Sequence, residues 1–511
     1  MAPSSHQVLI VGTGFAGMAM AIQLKKSGMN DFVILERASD LGGTWRDNHY
    51  PGAACDVPSH LYSFSFEPNR KWSRMFSPQA EILEYMKNCW NKHGLSAHVH
   101  FRTNILDAVF DDSSGTWTVR AEDGRSFQGR CLVSGTGGLS RPSYPNIPGL
   151  KSFKGDLFHS AAWDHSASLA RKRVAVIGTG ASAIQIVPAI AEEVSDLILF
   201  QRSAAWVVPK FDVAFSPLQM WLKVHVPFFE VLMRWWIYWR LELFGIALRY
   251  PKFMNFAATI FSKHLHKIVK DPELRAKLTP NYTPGCKRIL LSDHFYPAVT
   301  RANVQVITDS ISHIKADRVV TKDGHEYIVD ALICATGFQA ADDPAPFPIR
   351  GKNGVLLSAL WKDGAEAYRG TTIAGFPNFF FIVGPNTGLG HSSMVLMIES
   401  QVTYILGALR LMHKLGLKSV DVSAEKLRTY NTDLDKKLRN MVWSKGGCVS
   451  WYQTKSGRNV TLWPRSTFAF RAMLRAFDTS SYHCEPLPIA PPQQSHDSVA
   501  TEPVPKDFRA G

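Results

Sequence analysis

The chain has 511 residues, and at roughly 150 residues per domain this length predicts about three domains. Hydrophobic residues make up 45% and charged residues 20%, with 36 Gly and 14 Trp, a globular profile that excludes a disordered, collagen-like or coiled-coil protein. The net charge is +14, and the seven cysteines contain no C-x-x-C pair. A zinc ribbon and a thioredoxin-type site are thereby excluded, no metal is expected, and a reduced, cytoplasmic chain is predicted.

Met1 to Gln7 is short and polar, too short to hold a signal peptide. The next segment, Gln7-Val-Leu-Ile-Val-Gly12-Thr13-Gly14-Phe15-Ala16-Gly17, is a β-branched strand running into G-x-G-x-x-G. A helical pattern follows (Met18, Ala21, Ile22, Leu24), then a second strand, Phe32 to Leu35, ending at Glu36. Gly12 suits the tight turn, Gly14 a close approach of backbone to a pyrophosphate, and Gly17 close helix packing. The helix N-terminus would face the phosphates with its free N–H groups. Glu36, 24 residues after Gly12, is placed to accept hydrogen bonds from a ribose.

The pattern recurs at Arg173-Val-Ala-Val-Ile-Gly178-Thr179-Gly180-Ala181-Ser182-Ala183, with a second strand at Leu197 to Phe200. Here the strand ends in Gln201-Arg202. A carboxylate would repel a 2′-phosphate, whereas a guanidinium binds it bidentately, so this unit favours NADPH over NADH. The alternative is that Arg202 is a solvated charge at a strand end. Two such units imply hydride transfer between two nucleotide cofactors, a nicotinamide and a flavin. The N-terminal unit, with its ribose acid, suits FAD. Cys55 has no nearby cysteine after the first unit, which excludes a redox-active disulfide as electron acceptor and leaves oxygen, a quinone or another protein.

Between Pro209 and Leu290 there are 13 Lys+Arg against 5 Asp+Glu, and Trp221 to Trp239 contains four tryptophans. Phe228, Val231 with Leu232, Trp235 and Trp239 recur at helical spacing behind Pro227, which predicts a helix. Charges at Lys223, Glu230, Arg234, Arg240 and Glu242 interrupt the apolar run and argue against a membrane span. Three readings are open: a helical lid with a solvated charged face, a peripheral membrane-facing surface, and nucleic-acid binding. The last lacks any recognised module, so no nucleic-acid partner is expected. Pro486 to Gly511 holds six prolines and reads as a disordered tail.

Longer motifs add a resemblance. Gly42-Gly43-x-Trp45-x4-Tyr50-Pro51-Gly52-x3-Asp56, followed by Phe153-x-Gly155-x3-His159-x3-Trp163-Asp164, resembles the two fingerprints of type I Baeyer–Villiger monooxygenases, class B flavoprotein monooxygenases. The second motif ends in Asp where many members have Pro. Gly135-Thr-Gly-Gly-Leu-Ser140 with Pro142, Pro145 and Pro148, Ala335-Thr-Gly-Phe338 and Gly384-Pro-Asn386 agree, and the resemblance runs from about residue 7 to 475.

The resemblance implies that NADPH reduces FAD, that oxygen adds to the reduced flavin, and that the resulting peroxide attacks a ketone to give an ester or lactone. Such chemistry needs a cation for the anionic peroxide and a water-excluding pocket. In Cys286-Lys287-Arg288 the resemblance assigns Arg288 to that cation, Lys287 to the 2′-phosphate beside Arg202, and Asp56 to orienting Arg288. An ordinary structural ion pair is the alternative for Asp56 and Arg288. The flavin site would include Thr44, Trp45 and Tyr62 besides the residues from Gly12 to Gly17 and Glu36. The nicotinamide site would include Gln185 and Ser203 besides the residues from Gly178 to Ser182, and Trp451 would line the active site. Core packing competes for each of these aromatics and for Trp163. His159 matches a position in the linker between the nucleotide domains and is expected to serve as a hinge more than in chemistry.

The expected architecture is α/β, with two doubly wound Rossmann-like dinucleotide-binding domains and a helical insertion. The FAD domain is expected over 1–145 and 336–480, the NADPH domain over 146–208 and 281–335, the insertion or lid over 209–280 and the tail over 481–511. The substrate is expected to be a lipophilic, linear aliphatic ketone together with O2. The rival enzymatic reading, a flavin monooxygenase acting on nitrogen, sulfur or an alkyl chain, does not require Asp56 and Arg288. A non-catalytic, nucleotide-sensing flavoprotein would need neither that arginine nor a buried pocket.

Overall fold

The structure, a computed structural model, describes residues 3–339 and 345–487. Each of the two glycine motifs closes a strand of its own sheet. Strand β1 (Ser4–Val11) leads through the first motif into helix α1 (Phe15–Lys26) and strand β2 (Phe32–Leu35). β1 and β2 pair in parallel, Val8 opposite Phe32 and Val11 opposite Leu35. On its other edge β1 runs parallel to Ser126–Ser134, which continues into an antiparallel meander with Thr116–Ala121 and Ile105–Asp111. Ile349–Arg350 and Phe379–Phe381 join this sheet from the far end of the chain. Their apolar side chains are buried with β1 in one core, so burial selects the partner strand across more than 200 residues.

The second motif follows β3 (Arg173–Ile177) and leads to helix α2 (Ala183–Ile190) and strand β4 (Asp196–Phe200). The order in this sheet is Val304–Ile307, β4, β3, Ala331–Cys334, Asp156–His159, all parallel. Such strands, buried on both faces, read as continuous Val/Ile/Leu runs. Two doubly wound α/β units therefore stand side by side, as the repeated motif predicts.

The insertion carries helices α3 (Pro217–His225), α4 (Phe229–Ala247) and α5 (Pro251–Ile268). Ser216 caps α3 through a capping box with Gln219, and α3 and α4 are separated by Phe228 at φ 64°. Helix α6 (Met394–Leu415) is long and apolar enough to cross a membrane, yet 61% of its apolar window is buried inside the protein. It packs on α1 as a core helix.

Two expectations are corrected, and the insertion adds a feature the sequence did not show. The periodic stripe of α4 (Phe228, Val231, Leu232, Trp235, Trp239) is exposed, because α4 packs inward through Ile237, Glu242 and Gly245. The exposed side of the insertion thus carries this apolar stripe together with the cations Arg240, Lys252, Lys263, Lys267 and Lys270. The chain is not fully reduced: Cys286 and Cys448 form a disulfide, their Cα atoms 6.1 Å apart across 162 residues, a pairing that local spacing cannot reveal. The C-terminal segment is ordered at its start. Tyr482–Pro486 forms an antiparallel pair with Leu417–Val422, and Tyr482 is buried between Tyr404, Tyr368 and Phe477. Residues 488–511 lie outside the described residues.

Candidate active site

Both motif turns are built alike. Gly12 sits at φ 102°, and a Cβ there would lie 2.8 Å from the Gly135 carbonyl oxygen. Gly178 sits at φ 112°, and a Cβ there would lie 2.4 Å from the Ala335 carbonyl oxygen. No L side chain fits either place. Helices α1 and α2 both begin without a side-chain cap and without an acid in the first turn, so their N–H groups remain available to a pyrophosphate. Thr13, Phe15 and Ala16 are buried at the start of α1. Gly14 faces Gly43 backbone to backbone, a Cβ on Gly43 falling 3.1 Å from the Gly14 Cα.

The strand ends diverge. Glu36 is buried, and its carboxylate accepts from the Thr13 N–H at 2.9 Å, the Thr13 hydroxyl at 2.7 Å, the Ala38 N–H at 2.9 Å and Arg46 at 3.2 Å. A carboxylate has about four acceptor positions. Glu36 thus braces the Gly12–Thr13 turn, and a ribose would have to replace one of these donors. Gln201 is buried and donates to the Lys277 carbonyl at 2.6 Å, while Arg202 is exposed.

One cavity of ≈ 1090 Å³ runs between the two units. From the first unit it is lined by Thr44, Trp45, Asp56 and Tyr62; from the second by Gly178 to Ser182, Gln185, Arg202 and Ser203; and from the later chain by Lys287, Arg288 and Trp451. The residues from Gly12 to Gly17 and Glu36 lie outside this lining. Trp45 Nε1 donates to Tyr62 Oη at 3.1 Å, and the Tyr62 ring meets Phe15 edge-on at 5.4 Å. The expected flavin aromatics therefore form one cluster.

Lys287 donates to Ser203 Oγ at 2.8 Å, and Thr179 Oγ1 to the Ser203 carbonyl at 3.0 Å. Burial, and then repulsion from Arg202, lower the Lys287 pKa. Two cations are thus held together on the cavity wall, and neither forms an ion pair among the described residues. Their mutual repulsion would be relieved by an anion between them, such as a 2′-phosphate.

Arg288 and Asp56 form an ion pair on the cavity wall. Arg288 Nε donates to Asp56 Oδ2 at 2.7 Å, the side chains being 30% and 26% exposed. Burial, the largest single influence, raises the Asp56 pKa, but the Arg288 charge, the hydrogen bond from Arg288 and the Lys210 charge together outweigh it, and the carboxyl lies below its usual range. The Asp56 charge, opposed by burial, raises the Arg288 pKa, so the guanidinium is cationic at every working pH. Nη1 of Arg288 reaches the Leu389 carbonyl at 3.4 Å. Burial pushes the Tyr452 hydroxyl up to about 12, against the opposing Arg288 charge. Sequence reading singled out its neighbour Trp451, which is half exposed at the cavity; Tyr452 is buried and lines the cavity beside Arg288, and adjacency in the loop carried no signal of which of the two turns inward.

Gln185 has a second task. It accepts from Tyr50 Oη at 2.9 Å and donates to the Ala54 carbonyl at 2.9 Å, so its amide ties α2 to the first fingerprint. His159 does not line the cavity. It is buried at a strand end between Tyr144 and Phe338, and burial lowers its pKa. Trp163 packs edge-on against Phe158 at 4.9 Å. The insertion lines none of the cavity; it backs one wall, where a Cβ on Gly245 would meet the His391 ring and Leu248 packs on Gly390.

The profile of the flavin-binding monooxygenase-like family matches residues 5–344. A Baeyer–Villiger monooxygenase of Pseudomonas aeruginosa is 48% identical over 95% of this chain and 92% of its own length. The chain belongs to the Baeyer–Villiger monooxygenases of the flavin-binding monooxygenase-like family. Cyclohexanone monooxygenase of Rhodococcus sp. Phi1, solved with NADP+, superimposes with a TM-score of 0.86 at 25% identity, over 95% of this chain and all of that one. OTEMO in complex with FAD and NADP gives a TM-score of 0.85 at 25% identity, with the same coverage.

Proposed function

We propose that this Baeyer–Villiger monooxygenase inserts oxygen beside the carbonyl of a lipophilic, linear aliphatic ketone, using FAD, NADPH and O2. The observation that carries the reading is the Arg288–Asp56 pair, set in a large cavity between two dinucleotide turns. Both cofactors fit the residues present: open helix N-termini and Cβ-excluding glycines for the pyrophosphates, and Lys287 with Arg202 for a 2′-phosphate. When bound, FAD supplies oxygen activation and NADPH the electrons.

The chain contributes electrostatics and exclusion of water. Arg288 presents a permanent positive charge where negative charge develops on oxygen. Asp56 fixes its orientation and is not itself a proton carrier, since its carboxyl stays ionised at neutral pH. Tyr452, protonated at neutral pH, adds a neutral hydroxyl to the same wall. Trp45, Tyr62, Leu389, Met394 and Leu462 line the cavity with apolar surface, which favours an uncharged, lipophilic substrate and keeps water out. Oxygenation of nitrogen or sulfur would use the same nucleotide sites but gives the Arg288–Asp56 pair no task.

The test is NADPH consumption by the purified yellow enzyme with and without 2-decanone, with product mass. Ketone-dependent consumption and an ester one oxygen heavier support the reading. NADPH oxidation that yields hydrogen peroxide alone would remove this substrate class.

A further inference from the structure

Helices α3 to α5 turn outward the side chains that a packed helix buries. From Phe228 (74% exposed), just before α4, through Leu232, Trp235 (62%), Trp239, Leu243 and Ile246 of α4, apolar side chains follow one another at three- and four-residue steps, forming a single face. Tyr250, Phe253, Phe256 (70%) and Ile260 repeat the pattern on α5, and Leu218, Trp221 and Val224 on α3. Contiguous apolar surface of this kind marks an interaction site.

Charge on these helices is one-sided. From Ser216 to Lys270 there are eight Lys or Arg and two acids, Glu230 and Glu242. Both acids point inward. Glu230 faces Lys223 at 3.7 Å and His60 at 3.4 Å, and Glu242 accepts from the Thr467 N–H at 3.2 Å and from the Thr467 hydroxyl. Arg240, Lys252, Lys263, Lys267 and Lys270 remain exposed, with the Arg240 guanidinium over the Trp236 ring at 4.9 Å. The inner side is anchored to the body of the enzyme. Lys223 donates to the Trp72 carbonyl at 3.0 Å, and Arg234 to the Ser63 carbonyl at 3.2 Å. The aromatic face is therefore held in place as a fixed part of the fold.

We propose that α3 to α5 form a docking surface for an anionic lipid bilayer, with the aromatic rings at the headgroup boundary and the lysines and arginines on lipid phosphates. Tryptophan and tyrosine suit that boundary because they are apolar with a polar edge, and each cation close to anionic lipid strengthens binding. A second copy of the chain is the poorer occupant. A twofold contact would bring this cationic face against itself, with no exposed acid on these helices to compensate. The inference is independent of which ketone the enzyme oxidises.

Flotation of the full-length, FAD-loaded enzyme tests it, with vesicles of phosphatidylcholine alone and with about a quarter phosphatidylglycerol. Co-flotation with the anionic vesicles and a blue shift of tryptophan emission are expected, and binding should weaken at least roughly tenfold between about 0.1 M and 0.5 M salt. The double variant Trp235→Glu/Trp239→Glu should lose binding while keeping its flavin and its NADPH oxidation in solution. The variant Lys252→Gln/Lys263→Gln/Lys267→Gln, which leaves the apolar face intact, should bind anionic vesicles roughly a hundredfold more weakly. Absence of flotation, or equal flotation by the tryptophan variant, overturns the proposal. A concentration-dependent dimer that the tryptophan variant abolishes, without vesicle binding, assigns the face to a second copy.

Discussion

The two dinucleotide units start from the same strand–glycine–helix recipe and finish differently. In the first, α1 begins directly after Gly14, and a Cβ on Gly17 would lie 1.9 Å from the Gly12 carbonyl oxygen. In the second, α2 begins only after Ser182, and the equivalent position is Ala183, whose Cβ is buried without conflict. The first unit closes its strand end on itself, with four hydrogen bonds on Glu36. The second leaves Arg202 exposed beside Lys287. A tight, internally satisfied cradle suits a cofactor that stays bound. An open cationic rim suits one that arrives, donates and leaves. The units also share the Asp56–Arg288 ion pair, since Asp56 follows the first and Arg288 the second.

Exchanging the third motif position breaks the comparison most severely. Gly17→Ala should yield a colourless protein without activity, because the methyl overlaps backbone that nothing can move aside. The reciprocal Ala183→Gly should stay yellow and lose about 1 kcal/mol of stability. Flavin absorbance and thermal melting of the two variants decide it; a yellow Gly17→Ala would show that the first cradle is no tighter than the second.

The shared pair comes next. Arg288→Ala should lower ester formation about 10²- to 10³-fold while NADPH still reduces the flavin; unchanged ester yield in a single turnover would remove Arg288 from the chemistry. Asp56→Asn should cost less, since the guanidinium remains but is no longer held. The pH dependence has a definite sign. The Asp56 pKa is depressed in the folded state, so its stabilising contribution is complete above the unfolded value of about 3.9 and is lost as pH falls through the lower folded value. Urea midpoints measured from neutral to strongly acidic pH should show this loss in the parent and not in Asp56→Asn.

A smaller effect separates the strand ends. Arg202→Ala combined with Lys287→Ala should raise KM for NADPH roughly 10- to 100-fold and leave KM for NADH nearly unchanged. Equal increases for both nucleotides would place these cations somewhere other than the 2′-phosphate. The smallest concerns the seam between the units. Gln185→Ala removes the bonds to Tyr50 and Ala54 and should cost about 1–2 kcal/mol, seen as a modest fall in melting temperature with flavin retained.

Legibility tracks the range of the interaction. β2 spans Phe32–Leu35 as the apolar run predicts, and both motif glycines take the positive φ that a tight turn requires. Asp56 and Arg288, 232 residues apart, were brought together by family resemblance and are bonded in the structure. Spacing alone carried no such information. Gln185, read as a cofactor ligand, lines the cavity and also bonds Tyr50 and Ala54, partners on the other unit that spacing does not reveal. Tyr452 was overshadowed by Trp451 because nothing in four consecutive loop residues says which side chain turns inward.

The chain by itself determined what local chemistry dictates: strand identity from β-branched runs, turn geometry from glycine, and the family from ordered motifs. Tertiary structure alone decided the Cys286–Cys448 bond, the inward placement of Glu230 and Glu242, and the outward face of α4. Periodicity states that a helix has an apolar face. Which way that face points depends on free energies of contact with segments far away in sequence, here Trp72, Ser63, His391 and Thr467, and those contacts exist only once the chain has folded.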